Sequence, residues 1–140
     1  MAFYLDANVI VAMLVSEPAS DAAIRFLRHA DEPLMVSEFT AAEVASSMSR
    51  LVRMDRMTSE MAKLTLRDFD EWRAIDTLPI EIDDLDISQA GAFVRRFELK
   101  LRTSDALHLA VCLRAGAQLV TQDAVLTNAA QACGASVVRP

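Results

Sequence analysis

Four acidic residues stand where chemistry on a phosphate ester could be done: Asp6, Glu43, Asp105 and Asp123. Each falls at or beside a junction where a strand or loop pattern gives way to a helical one. Carboxylates drawn within a few ångströms repel one another unless a cation sits among them. Mg²⁺ and Mn²⁺ both take carboxylate and water oxygens, so either would relieve that repulsion. Each acid also has an ordinary role open to it. Asp6 can turn the chain after a strand, and Glu43 can close a capping box with Thr40. Asp105 suits the dipole of a helix first turn, and Asp123 can cap the helix after it. Asn8 can likewise cap a helix, while Thr103, Ser104 and Thr121 can satisfy backbone groups or orient a carboxylate. His108 follows Asp105 by three residues and reads as a satisfied, partly buried histidine rather than a general base. His29 is the only other histidine, so no histidine metal cluster is expected.

Other chemistries are poorly served. The three glycines, Gly91, Gly116 and Gly134, form no G-x-S-x-G elbow, P-loop or G-x-G-x-x-G. Cys112 and Cys133 lack C-x-x-C spacing and cannot build a zinc site alone; buried free thiols in a reducing cytoplasm are expected. No signal peptide is apparent, because Asp6 interrupts the first apolar segment. Val9 to Val15 is far shorter than the roughly 20 apolar residues that span a bilayer, so no membrane partner is expected.

The elements that must position these acids follow from periodicity. Phe3-Tyr4-Leu5 reads as a buried strand, with helices capped by Asn8 and Ser20 after it. Leu34 to Val36 reads as a second strand, and Thr40 opens a long helix carrying Val44, Met48, Leu51 and Val52 on one face. Further helices are expected over Thr58–Trp72, Leu85–Phe97, from Thr103 or Ser104 to Ala115, and Val125–Cys133. The remaining strands are expected at Pro79–Ile82, Gln118–Val120 and Ser136–Val138. Strands alternating with helices of crossover length predict an α/β chain: a three-layer α/β/α sandwich around a mostly parallel sheet. With 140 residues and no linker or repeat, residues 1–140 are expected to be one domain. In such a sheet, chemistry gathers beyond the carboxyl ends of the strands, which is where the four acids fall.

Four segments carry a resemblance. Leu5-Asp6-Ala7-Asn8-Val9-Ile10, Ser37-Glu38-Phe39-Thr40-Ala41-Ala42-Glu43-Val44, Leu101-Arg102-Thr103-Ser104-Asp105-Ala106-Leu107-His108-Leu109-Ala110 and Leu119-Val120-Thr121-Gln122-Asp123 occur in order along the chain. Together they resemble the motifs of the PIN-domain ribonucleases, especially the VapC toxins of toxin-antitoxin pairs. The resemblance implies a PIN-like fold and an endoribonuclease dependent on Mg²⁺, with Mn²⁺ as a substitute. Asp6 and Asp105 would be the central metal acids, completed by Glu43 and Asp123, with Asn8 and Thr121 in support. It also implies an RNA substrate, a cognate antitoxin and a homodimer. Ala7 stands where the family more often has a hydroxyl, and Gln122 where small hydroxyls are frequent. Two other readings remain open. A haloacid-dehalogenase-like phosphatase also begins with an Asp after its first strand, but it wants a second Asp where this chain has Asn8. A noncatalytic PIN-fold interaction protein is the other.

A formal charge of -6 argues against a protein that coats nucleic acid by bulk positive charge. The acids are nevertheless localised: Asp68 to Asp86 alone carries -7, leaving +1 elsewhere. Arg102, with Arg95 or Arg96, is expected to help hold an RNA backbone near the metal site. Met48, Met54, Met57 and Met61 flank one interhelical turn and suit either core filling or a partner surface.

Overall fold

The computed structural model describes residues 1–140. Its centre is a five-stranded sheet of β1 (Phe3–Leu5), β2 (Leu34–Ser37), β3 (Leu78–Ile80), β4 (Gln118–Val120) and β5 (Val137–Val138). The strand order is β3-β2-β1-β4-β5, and every pairing is parallel. Parallel neighbours require crossovers, and helices supply them: α1 (Ala7–Leu14), α2 (Ser20–His29), α3 (Glu38–Arg53) and α4 (Ser59–Asp76) precede β3. α5 (Asp84–Val94), α6 (Thr103–Ala115) and α7 (Ala124–Ala132) complete the chain.

Alternation along β1 divides the core into two layers. Phe3 and Leu5 face an apolar cluster with Val9, Ile10, Val44 and Phe69 from α1, α3 and α4. Tyr4 faces the opposite cluster, with Phe93, Leu109, Leu119 and Leu126 around it. Because strand side chains point alternately to the two faces, one three-residue strand anchors both layers. The expected three-layer architecture with a parallel sheet is the one observed.

Several boundaries differ from the sequence expectation, each for a local reason. α3 begins at Glu38, because the Ser37 hydroxyl accepts from the Thr40 amide at 3.0 Å. No Thr40–Glu43 capping box forms; the Thr40 hydroxyl instead donates to the Leu5 carbonyl at 3.3 Å. Asp6, not Asn8, occupies the cap position of α1, and Ser20 lies inside α2, donating back to the Val15 carbonyl. α5 is closed at its start by a reciprocal Asp83–Asp86 capping box and ends at Val94, short of Phe97. A single 3-10 turn, Phe97–Leu99, and a left-handed Lys100 follow before α6. β3 is an edge strand, and Pro79 is tolerated there. Gly116 ends α6 in the left-handed region at φ 62°, as a glycine C-terminal stop does. Cys112 is buried as expected, whereas Cys133 is only half-buried, beside Arg96. No helix is long and apolar enough to cross a membrane.

Candidate metal centre

The sheet delivers Asp6 and Thr121 side by side at the ends of β1 and β4. The Asp6 amide donates to the Val120 carbonyl at 3.0 Å, carrying the ladder one residue past the strand. Asp6 Oδ2 then accepts from the Thr121 hydroxyl at 2.7 Å and from Asn8 Nδ2 at 3.0 Å. Asn8 Nδ2 also reaches Thr121 Oγ1 at 3.2 Å, and its Oδ1 accepts from the Gln122 amide at 3.2 Å. Thr121 Oγ1 in turn accepts from the Asp123 amide at 3.1 Å. Asn8 and Thr121 therefore lock one Asp6 oxygen and brace the loop that presents Asp123.

Glu43 comes from the second turn of α3 and meets His108 of α6. His108 is only 1% exposed, and its Nε2 is hydrogen-bonded to Glu43 Oε1 while lying 3.8 Å from Asp6 Oδ1. Its Nδ1 lies 2.8 Å from the Tyr4 hydroxyl, which also contacts Ser37 Oγ at 3.1 Å. A nitrogen facing a carboxylate carries the proton, so Nε2 donates to Glu43 and the Tyr4 hydroxyl sets the other side of the ring. His108 is hydrogen-bonded on both ring nitrogens, as expected of a satisfied histidine, but it is fully rather than partly buried. Its position at the heart of the acidic cluster, with Tyr4 behind it, was not anticipated.

Asp105 sits in the first turn of α6, 3.6 Å from Arg102 Nε. Asp123 caps α7, its Oδ1 accepting from the Leu126 amide at 3.0 Å, so the capping role and cavity placement coexist. All four acids line a single open cavity of about 650 Å³. Only two of its fourteen lining residues are hydrophobic, Ala7 and Val11, unlike the apolar pockets that hold small organic ligands. Arg102 and Ser104 also line it, as do Glu17 and a face of α3 bearing Ser46, Ser47, Arg50 and Arg53. Arg95 and Arg96 do not; Arg96 pairs with Glu98 at 3.0 Å. In the sequence Arg50 and Arg53 read as part of a basic, solvated helix face, and only their helical spacing from Glu43 could have placed them in this cavity.

The electrostatics reflect the crowding. Burial pushes the Asp6 carboxyl above its ordinary range, against the pull of His108 and the Thr121 hydrogen bond. Asp105 is raised by burial first and by the charge of Asp123 next. Burial alone would lower His108, but the Glu43 hydrogen bond and the charges of Asp6, Glu43 and Asp105 carry it upward. Acids resisting ionisation beside a histidine favouring it are the signs of negative charge in excess. A divalent cation fits carboxylates crowded in this way: Asp6 and Glu43 each offer an oxygen within 4.8 Å of the other and of a His108 ring nitrogen, and Asp105 and Asp123 line the same cavity. With both its ring nitrogens engaged, His108 is better suited to bracing Glu43 than to ligation.

Asn8 also bears on the phosphatase alternative. Its side chain is a neutral amide consumed by Asp6, Thr121 and Gln122, so it supplies no acid two residues after Asp6.

Comparison with known proteins agrees with this arrangement. The PIN domain family model matches residues 3–132. Ribonuclease VapC46 of Mycobacterium tuberculosis is 33% identical, the match covering 99% of this chain and 98% of that protein. Among solved structures, M. tuberculosis VapC20, described as a sarcin-ricin-loop-cleaving toxin, superimposes with a TM-score of 0.76 at 19% identity, over 99% of both chains. VapBC2 from Rickettsia felis, bound to a promoter DNA fragment, gives 0.71 at 14% identity, over 100% of this chain and 99% of that one. At these identities the two structures speak for the fold alone. Family match, curated relative and fold converge: the chain belongs to the PIN domain family and is VapC-like.

Proposed function

We propose that this protein is a divalent-metal-dependent endoribonuclease, the toxin of a toxin-antitoxin pair. The observation that carries the reading is the convergence of Asp6, Glu43, Asp105 and Asp123 on one polar cavity at the carboxyl edge of the sheet. A ribonuclease relative at 33% identity supports RNA as the substrate. Mg²⁺ is the proposed ion, with Mn²⁺ able to replace it. Asp6 and Asp105 are the proposed central ligands, and Glu43 and Asp123 complete the set directly or through water. A bound divalent ion would supply neutralisation of the phosphate and a lowered pKa for attacking water.

The chain's own residues do the rest. Thr121 and Asn8 hold Asp6 in one orientation by two hydrogen bonds to Oδ2, while Oδ1, 3.8 Å from His108 Nε2, is the oxygen proposed to meet a cation. His108, backed by Tyr4, holds Glu43 at the inner wall. Arg102, with Arg95 or Arg96 further out, would grip the RNA backbone. The solved relatives include toxin-antitoxin assemblies, which supports a cognate antitoxin as partner. A homodimer, soluble and cytoplasmic, using the α3–α4 turn is proposed on the same footing. The whole of residues 1–140 is proposed to act as one nuclease domain.

The test supplies purified, antitoxin-free protein and Mg²⁺ with RNA in one tube and p-nitrophenyl phosphate in another. Cleaved RNA with an inert phosphate ester is expected. Rapid ester hydrolysis with intact RNA would hand the site to the phosphatase reading.

A further inference from the structure

The cavity is not uniformly acidic. Glu43, Ser46, Ser47, Arg50 and Arg53 follow the spacing i, i+3, i+4, i+7 and i+10, which is one face of α3, and all five line it. Along that face the chemistry changes from carboxylate to hydroxyl to guanidinium. At 1.5 Å per residue, Arg50 lies about 10 Å and Arg53 about 15 Å along the axis from Glu43. Neither arginine is paired with a carboxylate. Arg53 is steadied from its own helix, donating to Ser49 Oγ at 2.6 Å. Two unpaired guanidiniums aimed into a cavity whose other end is carboxylate offer places for anions at a set distance from the reacting centre.

We infer that this face of α3 is the binding track for single-stranded RNA on one side of the cut, Arg50 and Arg53 each holding a backbone phosphate. This rests on the nuclease reading above. A stacked strand advances about 3.4 Å per nucleotide, so Arg50 meets a phosphate roughly three nucleotides from the cleaved bond. Arg53 meets one a nucleotide or so beyond. Ser46 and Ser47 supply hydroxyls to the intervening backbone. Contacts of this kind set register and affinity without reading bases, so the track defines a minimum substrate length rather than a sequence. An acidic peptide could also satisfy two arginines, but the continuity of this face with Glu43 favours the strand that the acids would cut.

The test is fluorescence anisotropy of a labelled 12-nucleotide RNA pool, titrated over a range of KCl in an Asp6→Asn background that does not consume it. Each of Arg50→Ala and Arg53→Ala should flatten the plot of log affinity against log salt by about 0.7, and the double variant by about 1.4. Arg50→Lys should restore the slope, since the charge remains. In the wild-type background, Arg50→Ala should raise KM about fivefold, and the increase should vanish on substrates trimmed to two nucleotides on the α3 side. Wild-type cleavage with unchanged slopes would overturn the track while leaving the nuclease standing. No wild-type cleavage and no salt-dependent RNA binding would overturn both. Unchanged RNA salt slopes together with binding of labelled poly-glutamate that is lost in the Arg50→Ala/Arg53→Ala double variant would overturn the track and assign the face to an acidic peptide instead.

Discussion

At the residue scale, Asp6 is held in a state that folding alone disfavours. It is 7% exposed, its pKa is raised by burial, and Glu43 adds to the repulsion. A carboxyl whose folded pKa is raised contributes most when protonated and loses that contribution as pH rises from 3.8 through the folded value. His108, raised from 6.5, has the same sign: its contribution is full below 6.5 and lost as pH rises through its folded value. Asp86, lowered chiefly by its Arg114 hydrogen bond, runs oppositely and loses its contribution as pH falls below 3.8. The metal-free protein should therefore melt highest in mild acid, with Tm declining toward pH 8. Thermal melts in EDTA check this, and Mg²⁺ should flatten the decline. Asp6→Asn should raise the metal-free Tm at pH 8 while abolishing Mn²⁺ binding measured by calorimetry. His108→Ala, by contrast, should cost about 3 kcal/mol in urea denaturation, since it opens a cavity beside Tyr4 and Phe39 and strands Glu43.

The four acids were legible as residues because each stands at a junction that the hydrophobic pattern marks. The histidine's neighbours were not. His108 meets Glu43 across 65 positions and Tyr4 across 104, and no local spacing encodes such a meeting.

At the element scale, one side chain adds a polar tie to the apolar packing of α5 on α6. Arg114 Nε donates to Asp86 Oδ1 at 2.7 Å and Nη2 to Asp86 Oδ2 at 2.8 Å, while Nη2 also reaches the Glu81 carbonyl at 2.5 Å. Asp86 is 2% exposed and simultaneously closes the capping box of its own helix. Arg114→Ala should therefore lower stability by about 2 kcal/mol, seen as a reduced urea midpoint with an unchanged slope. Element types were readable, since each expected strand and helix has its counterpart in the same order. Ends were less so. α3 starts at Glu38 because a serine at the strand end supplies the cap, and the Thr40–Glu43 spacing that suggested otherwise is used for two separate long-range contacts. α5 stops at Val94, and nothing in the apolar spacing distinguishes its last turn from the 3-10 turn that follows.

At the scale of the whole molecule, a net charge of -6 is the sum of regions with opposite tasks. Acids from α3, α6 and the segments just beyond β1 and β4 meet at one sheet edge, while Arg50, Arg53 and Arg102 line the same cavity. The methionines divide as well: Met48 is fully buried, whereas Met54 and Met61 at the α3–α4 turn are 44% and 54% exposed. If that turn joins two copies, Met61→Lys should convert a dimer to a monomer in light scattering without lowering Tm. A dimer that survives the change would place the contact elsewhere.

RNA cleavage by the wild type and by Asp6→Asn, each freed of antitoxin and given the same varied RNA pool, tests the metal-dependent nuclease most directly. Cuts that require Mg²⁺ or Mn²⁺, stop with EDTA and disappear in Asp6→Asn are the predicted result. Equal cutting by both proteins, or cutting that persists in EDTA, would contradict it.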